Sequence, residues 1–272
     1  MSMLSYDVNL SILFTELPLL ERPAAARAAG FDAVELWWPF DRPVPDDRDA
    51  DALLRAIGDA GVRLAGLNFD AGDMAAGDRG LASRPDGSAR FRANIDAAVG
   101  IAEATGCRVL NALYGNRVPG LDADVQEELA VVNIGMAARA ARRAGATVVV
   151  EALNAPENPD HPIVSSQAAL HVVDRVTEQA GVGNVAFLAD LYHLARMGED
   201  PLDVIARHAH RFGHVQIADA PGRGRPGTGG IPYDTVLPAL EASGYAGYVG
   251  LEYRPYGPSA DAFGWLAVKE TP

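Results

Sequence analysis

A short signature recurs along the chain and leaves few folds open to it. An alanine-rich amphipathic stretch is followed by a glycine and then by a short apolar run. Glycine just past a helix adopts the left-handed conformation that ends it, so each instance predicts a helix, its C-terminal cap and a strand. The instances are ARAAG before FDAVEL, GDAG before VRLAGLN, AEATG before CRVLNAL, ARRAG before ATVVVEA, EQAG before VGNVAFLAD and EASG before YAGYVGLE. The chain therefore alternates helices and strands.

Eight apolar runs are predicted to be strands, with helical stretches between them. They are DVNLSIL, AVELWW, VRLAGLN, CRVLNAL, TVVVEAL, VAFLADL, FGHVQIA and YVGLEY. Strict alternation over eight strands favours an α/β fold of the closed (β/α)8 TIM barrel type over an open doubly wound sheet. The length of 272 residues suits one such barrel, since these domains commonly span about 250 residues. We therefore predict a single domain over residues 1–272.

The charge of the chain restricts its partners. A net charge of −13 and a pI near 4.8 argue against nucleic acid and anionic membrane surfaces as partners, because both repel an acidic protein at long range.

The sequence contains no run of about 20 apolar residues and no N-terminal targeting pattern, so we expect a cytoplasmic protein. The single cysteine, Cys107, is expected to be a small buried hydrophobe. A homo-oligomer is compatible with the sequence.

Four of the predicted strands finish on a side chain with an oxygen that can bind a metal. These residues are Glu151, Asp190, Gln216 and Glu252. A single acidic residue after a strand is more often a helix N-cap or an ion-pair partner. Four such residues at the ends of successive strands favour a shared site over four separate structural roles, because the carboxyl ends of barrel strands converge on one pocket. Oxygen donors suit Mg²⁺ or Mn²⁺ better than Zn²⁺, so we predict a divalent cation there.

Glu151 and Glu252 are the candidate acid and base. They follow strands on opposite sides of the predicted ring, where two carboxylates can flank one cation. Such a pair can move a proton between adjacent carbons of a substrate, one removing it and the other returning it. This arrangement is typical of an isomerase or epimerase that proceeds through an enediolate.

Two histidines accompany these residues. His193 lies three positions after Asp190, close enough to donate a hydrogen bond to a substrate oxygen, although a capping role is an equal alternative. His214 and Gln216 are two residues apart on one strand, so their side chains point to the same face. We therefore assign His214 to a supporting position one layer below the predicted cation site.

The segment PGRGRPGTGG after the seventh strand carries Arg223 and Arg225. Its glycine spacing matches neither phosphate-binding motif, so we predict a flexible loop. Two guanidiniums at the mouth of a pocket in an acidic protein suggest a substrate with a carboxylate, which arginine pairs in a bidentate manner. Arg223 is the better candidate. The aromatic residues Phe14, Trp37, Trp38 and Phe40 are expected to wall the pocket.

These segments together resemble the hydroxypyruvate isomerase family within the xylose-isomerase-like barrels. The resemblance rests on NLSILFTELPLLER, GFDAVELWWPFD, AGDMAAGDRG, VVVEALN, DLYHLARM, HVQIADAPGRGRPGTG and GLEYRP, which span most of the chain. It implies acid/base roles for Glu151 and Glu252 and metal ligation by both together with Asp190 and Gln216. It also implies substrate contacts by His193 and Arg223.

The resemblance implies conversion of hydroxypyruvate to 2-hydroxy-3-oxopropanoate through a cis-enediolate, within carbohydrate or glyoxylate metabolism. A 2-oxo-tetronate isomerase is the nearest alternative, since a four-carbon acid needs only a slightly larger pocket. A DNA phosphodiesterase on the same barrel would need more histidines and a basic groove, which the sequence lacks. A lyase acting on an inosose-like ring and a non-catalytic binding barrel are the remaining alternatives.

Overall fold

Eight parallel strands form a closed barrel in the computed structural model, which describes residues 4–267. The strands are β1 Ser5–Asn9, β2 Ala33–Leu36, β3 Arg63–Asn68, β4 Val109–Asn111, β5 Thr147–Glu151, β6 Val185–Asp190, β7 Phe212–Ile217 and β8 Tyr248–Leu251. Each strand pairs with the next one in sequence, and β8 pairs with β1, which closes the ring. The predicted barrel is confirmed, and every strand overlaps the apolar run that predicted it.

Helices connect the strands around the outside of the barrel. They are α1 Arg22–Ala28, α2 Asp47–Ala60, α3 Ser88–Thr105, α4 Ala123–Ala141, α5 Ser166–Ala180, α6 Leu191–Arg196, α7 Pro201–His208, α8 Tyr233–Ala242 and α9 Gly264–Ala267. The six glycines of the recurrent signature all have positive φ, between 59° and 96°, as caps before a strand require (Gly30, Gly61, Gly106, Gly145, Gly181 and Gly244). Within residues 4–267, no helix is both long enough and apolar enough to cross a membrane.

The strands are buried on both faces, which explains their continuous apolar sequence. Val148, Val149 and Val150 of β5 are fully buried, with the barrel interior on one side and the outer helices on the other. Below the predicted cation site the interior is polar rather than apolar. Asp7, Glu35 and His214 are all buried there. The barrel therefore encloses charged groups well below its mouth.

The loop between β3 and α3 folds back over the barrel and is attached to the end of β4. Gly80 forms a β-bridge with Tyr114, and its backbone N–H donates to the Ala71 carbonyl at 3.0 Å. Gly80 has φ +107°, and a Cβ at this position would overlap the Leu113 carbonyl group. The contact thus excludes any side chain at residue 80. It fixes this loop against the mouth of the barrel.

We expect Gly80→Ala to destabilise the protein by about 2–4 kcal/mol, because alanine would both strain the backbone and overlap Leu113. Gly77→Ala is the matched control, since Gly77 has φ +106° and a methyl group there would meet no atom within 4 Å. This control should lower the free energy of unfolding by only about 1 kcal/mol, because it introduces backbone strain without an overlap. Urea unfolding of both variants measures the difference. Equal losses would contradict the close contact.

Candidate active site

Four side chains meet in one buried cluster at the carboxyl ends of β5, β6 and β8. Ligand atoms of Glu151, Asp190, His193 and Glu252 all lie within 4.8 Å of one another, and each residue is buried. Glu151 ends β5, Asp190 ends β6, and Glu252 directly follows β8. Residues far apart in sequence are therefore brought together by the closure of the barrel. The candidate acid/base pair of the sequence analysis lies within this cluster.

Gln216 lies between these groups in the sheet. It is paired in register with Asp190 on one side and with Gly250 on the other. Its Nε2 donates to Glu35 Oε1 at 2.7 Å, which fixes the orientation of the amide. Its Oε1 is buried and accepts no hydrogen bond within residues 4–267. A buried amide oxygen without a donor is a free ligand for a cation.

Asp190 has one oxygen engaged and one free. Its Oδ1 accepts hydrogen bonds from the backbone N–H groups of Tyr192 at 2.8 Å and His193 at 3.1 Å, which caps the N-terminus of α6. The capping role considered from the sequence is therefore real, but it uses only one oxygen. Oδ2 accepts no hydrogen bond from the described part of the chain. Burial and the nearby Glu252 carboxylate raise the pKa of Asp190 to about 8.

Glu252 is held by three donors from different elements. Its Oε1 accepts hydrogen bonds from Trp37 Nε1 at 2.7 Å and Asn9 Nδ2 at 2.9 Å, and its Oε2 accepts one from Arg223 Nη2 at 2.6 Å. Burial raises the pKa of Glu252, and the Arg223 guanidinium opposes that shift. The three donors fix the carboxylate in one orientation. They also favour its charged form over the protonated one.

Glu151 is less strongly supported than Glu252. Its Oε2 accepts a hydrogen bond from Asn111 Nδ2 at 2.8 Å, and its Oε1 lies 3.9 Å from His193 Nε2 without a hydrogen bond. Burial, together with repulsion from Glu252 and Asp190, raises its pKa well above the usual value. The two glutamates therefore differ in the number of donors that stabilise their charged forms, three for Glu252 and one for Glu151.

His193 is held in one tautomer by its neighbours. Its Nδ1 faces two N–H donors of Asn154, the backbone N–H at 3.0 Å and Nδ2 at 2.6 Å. Nδ1 must accept these bonds, so in the neutral ring the proton lies on Nε2. Burial and the nearby Arg223 lower the pKa of His193 well below its usual value. The ring is thus a neutral donor whose Nε2–H faces the carboxylates, and this tautomer leaves Nε2 no lone pair for a metal.

Arg223 lies beside Glu252 and Tyr192. Its guanidinium carbon lies 5.4 Å from the centre of the Tyr192 ring. Burial lowers the pKa of Arg223, but the attraction of Glu252 and Asp190 outweighs this effect and raises it.

The loop that carries Arg223 is more ordered than its composition suggests. Asp219 accepts hydrogen bonds from the backbone N–H groups of Gly227, Gly229 and Ile231 at 2.7–3.0 Å. Arg225 is exposed and lines a separate cavity.

His214 supports the site from below, as the spacing of HVQ predicted. Its Nε2 lies 2.7 Å from Glu35 Oε2, and Glu35 Oε1 accepts hydrogen bonds from both Gln216 Nε2 and Asn9 Nδ2. Glu35 thus links the buried histidine to a candidate ligand and to the residue that holds Glu252. Although burial lowers it, the attraction of Glu35 raises the pKa of His214. The contact favours the protonated form of His214.

The cluster opens into a cavity of about 680 Å³ at the mouth of the barrel. Trp37 lines this cavity, whereas Trp38 and Phe40 line a neighbouring one. Phe14 packs in the core, with its ring centre 5.9 Å from that of Phe263, and is not part of the wall. The sequence analysis did not identify several polar residues that contact the site or line the cavity. These are Asn9, Glu35, Asn68, Arg79, Asn111, Asn154, Glu157 and Asn158.

These residues fit a divalent cation. Gln216 Oε1 is a buried oxygen that accepts no hydrogen bond within residues 4–267. Asp190, Glu151 and Glu252 are buried residues that add three carboxylates close to one another. Three buried carboxylates at this separation repel one another unless a positive charge lies between them. An all-oxygen set suits Mg²⁺ or Mn²⁺. The identity of the cation is a proposal that rests on this donor set.

Comparison with known proteins places the chain among related sequences. Residues 23–267 match the family model described as xylose isomerase-like TIM barrel. A putative hydroxypyruvate isomerase from Streptomyces coelicolor is 60% identical over 264 residues, covering 96% of this chain and 95% of that protein. The hydroxypyruvate isomerase of Escherichia coli is 33% identical, covering 97% and 98%. A 2-oxo-tetronate isomerase from Pectobacterium atrosepticum is 31% identical, covering 96% and 95%.

Solved structures share the same architecture. A protein from Brucella melitensis described as an AP endonuclease of family 2 superposes with a TM-score of 0.88 and 37% identity, covering 98% of this chain and 99% of that one. A D-psicose 3-epimerase from Clostridium cellulolyticum has a TM-score of 0.74 at 20% identity, covering 96% and 90%. At that identity the second likeness concerns the fold alone.

We expect Mg²⁺ or Mn²⁺ to stabilise the protein by relieving repulsion among the buried carboxylates. At about a hundredfold excess over Kd the melting temperature should rise by roughly 5 °C or more. Asp190→Asn keeps an N-capping oxygen for α6 and removes one charge, so it should lose most of this shift. Asp203→Asn, at an exposed position, is the control and should retain it. An undiminished shift in Asp190→Asn would remove Asp190 from the cation site.

We also expect His193 to be the Nε2–H tautomer in solution near pH 7.5. The two Asn154 donors on Nδ1 leave no room for a proton there. Nitrogen-15 correlation spectra of the imidazoles distinguish the two tautomers directly. The exposed His210 serves as an internal comparison, since a solvated ring averages between forms. A protonated Nδ1 in His193 would contradict the assigned network.

Proposed function

The chain belongs to the xylose isomerase-like TIM barrel family and, within it, to the hydroxypyruvate isomerases, and from this premise we propose its reaction. It is an isomerase of the intramolecular oxidoreductase type. We propose that it interconverts hydroxypyruvate and 2-hydroxy-3-oxopropanoate, which is tartronate semialdehyde. The names of the relatives from Streptomyces coelicolor and Escherichia coli support this substrate.

The observation that carries the proposal is the approach of two buried glutamates from separate strands to one point. Carboxylate oxygens of Glu151 and Glu252 lie within 4.8 Å of each other, although the two residues are 101 positions apart in sequence. Proton transfer between adjacent carbons can use one base at each carbon, within hydrogen-bond reach of it. The cavity beside them is open to a small acid.

In this reaction one glutamate removes a proton from C3 and the other returns a proton to C2. The pair of electrons released at C3 forms the C2–C3 double bond of a cis-enediolate, and the C2 oxygen takes up the negative charge. When C2 is protonated, the C3 hydroxyl loses its proton and becomes the aldehyde carbonyl, and the C2 oxygen takes up a proton and becomes the hydroxyl group. His193 Nε2–H is oriented to donate a hydrogen bond to that oxygen, because Asn154 fixes its tautomer. Arg223 holds Glu252 in position, and its Nη1 makes no hydrogen bond within the described residues, which leaves it for a substrate oxygen.

We assign the proposed Mg²⁺ or Mn²⁺ to Glu151, Asp190, Gln216 and Glu252. When bound, such a cation acts as a Lewis acid that polarises the substrate carbonyl and makes the adjacent C–H more acidic. Glu35 and Asn9 support this arrangement from below. They orient the Gln216 amide and the Glu252 carboxylate through hydrogen bonds of 2.7–2.9 Å.

A four-carbon 2-oxo-tetronate is the second candidate substrate. Two observations favour keeping it: the 31% identical relative of that name and a cavity of about 680 Å³, which exceeds what a three-carbon acid fills. The same glutamate pair would serve either acid. The ratio of kcat/KM for hydroxypyruvate and for a 2-oxo-tetronate decides between them.

Other classes of function are less well supported. The name of the Brucella melitensis structure raises phosphodiester cleavage in DNA. The candidate cation cluster contains a single histidine, held as a donor, and the net charge of −13 opposes a polyanion. A lyase acting on an inosose-like ring would release water. A non-catalytic barrel would not need two buried glutamates within 4.8 Å of each other beside an open cavity.

We expect the cation-loaded protein to exchange hydrogen at C3 of hydroxypyruvate with deuterium oxide and to form an aldehyde product. Proton NMR follows both events in one sample. An absence of exchange and of aldehyde would reject this substrate. The same measurement with a 2-oxo-tetronate tests the second candidate.

We expect Glu151→Gln and Glu252→Gln each to lower kcat by about 10³-fold or more, because each removes one of the two proton-transfer groups. The variant that lacks the second base should still exchange C3 hydrogen without forming aldehyde, which assigns the two roles. Glu178→Gln, at an exposed position on α5, is the matched control and should retain activity. Near-normal turnover in either active-site variant would remove that residue from the mechanism.

A further inference from the structure

Arg79 is a second arginine in the wall of the cavity that holds Glu151, His193 and Glu252. It belongs to the loop between β3 and α3. Arg223 belongs to the loop after β7. Strands β3 and β7 lie opposite each other in a ring of eight, so the two arginines approach the cavity from opposite sides. The cavity therefore has a cationic group on each side.

The guanidinium of Arg79 is held by neutral acceptors. Its Nη1 donates to the carbonyls of Met74 at 3.0 Å and Asp78 at 2.6 Å, and its Nε donates to Asn158 Oδ1 at 2.5 Å. Asp78 does not neutralise it, since the Asp78 carboxylate is paired with Arg84 at 2.5 Å. No carboxylate within residues 4–267 forms an ion pair with Arg79. Its Nη2 also has no hydrogen-bond acceptor there.

Arg79 is a half-buried cation that forms no ion pair within residues 4–267. Arg22 and Arg196 share this property, but neither of them lines the cavity that holds Glu151. With a net charge of −13, the chain has abundant carboxylates to pair its arginines. Several arginines on the surface are paired in this way, among them Arg42, Arg175 and Arg211. Desolvating an unpaired guanidinium is costly, so an anion from solution gains both charge and hydrogen bonds at Arg79. We therefore expect the missing counter-ion of Arg79 to be an anionic ligand.

Arg79 is also linked rigidly to the candidate catalytic histidine. Asn158, which accepts from Arg79, donates through Nδ2 to the Asn154 carbonyl at 3.1 Å. Asn154 in turn fixes His193. On its other side, Arg79 precedes Gly80, which is bound to the end of β4. The guanidinium is thus positioned before any ligand arrives, which lowers the entropic cost of binding.

By contrast, Arg223 is already engaged. Its Nη2 donates to Glu252 Oε2 at 2.6 Å and its Nε to the Glu252 carbonyl at 3.4 Å. Full bidentate pairing with a substrate carboxylate would require Arg223 to give up this contact with a proton-transfer group. The two arginines are therefore suited to different tasks.

We propose that Arg79 binds the carboxylate of the substrate, while Arg223 serves Glu252 on the opposite side of the cavity. This inference rests on the proposed function and specifies its substrate class as 2-oxo acids rather than neutral ketoses. A neutral ketose would leave Arg79 without an anionic partner. Arg79 therefore determines specificity without taking part in proton transfer.

The test compares Arg79→Met with the unaltered protein on two substrates that differ in the carboxylate. Hydroxypyruvate is the acid, and dihydroxyacetone, which isomerises to glyceraldehyde, is its neutral counterpart. Loss of a charge-assisted pair should lower kcat/KM for hydroxypyruvate about ten- to a hundredfold and change that for dihydroxyacetone by less than about threefold. Arg79→Lys should restore part of the loss, because it keeps the charge but not the planar fork.

Arg225→Met is the matched control. It removes the same charge from an exposed position outside this cavity, so both substrates should be unaffected. An equal fall for both substrates in Arg79→Met would show a merely structural role and overturn the inference. A selective loss in Arg254→Met, which alters another arginine lining the cavity, with none in Arg79→Met would overturn it as well.

A binding measurement separates this inference from the proposed reaction. Calorimetry with D-glycerate, which carries the carboxylate, should show binding to the unaltered cation-loaded protein and at least tenfold weaker binding to Arg79→Met. If hydroxypyruvate is not isomerised but this difference is found, the proposed function fails and the carboxylate site stands. If the unaltered protein does not bind D-glycerate, or both proteins bind it equally, the carboxylate site fails.

Discussion

Repulsion among carboxylates buried at the mouth of the barrel is the constraint that organises this protein. Glu151, Asp190 and Glu252 lie within a few ångströms of one another out of water, where like charges interact strongly. The fold does not remove that repulsion, but it places hydrogen-bond donors around each of the three carboxylates. Asn9, Trp37 and Arg223 stabilise one carboxylate, Asn111 another and a helix N-terminus the third. The negative charge that these donors leave unbalanced is what suits the cluster to the proposed cation.

The sequence predicted those parts of the structure that depend on local chemistry. Glycines after helices and continuous apolar runs specify caps and buried strands wherever they occur, so the barrel followed from them. Glu151, Asp190, Gln216 and Glu252 could be named as candidates because each stands at or near the end of an apolar run in the sequence. The same signal was present in the first half of the chain and was not used. Strands β1, β3 and β4 all end in asparagine, and β2 carries Glu35 next to its last residue.

What the sequence could not predict depends on tertiary partners. Phe14 follows a strand just as Trp37 does, yet it packs against Phe263 from the far end of the chain. In the sequence, Arg223 is a charged residue of a glycine-rich loop, and only the structure shows its ion pair with Glu252. Arg79 stands next to an aspartate in sequence, and only the structure shows that Asp78 is paired with Arg84. Whether a charge is satisfied is therefore a property of the fold, and sequence patterns do not reveal it.

The hydrogen bond from Asn9 to Glu252 joins the first strand to the residue after the last. The seam where the ring closes and the position of a proposed proton-transfer group are thus the same place. Until the eighth strand joins the first, the donors on Asn9 and Trp37 have no Glu252 carboxylate to bind. Barrel closure therefore also orients this carboxylate.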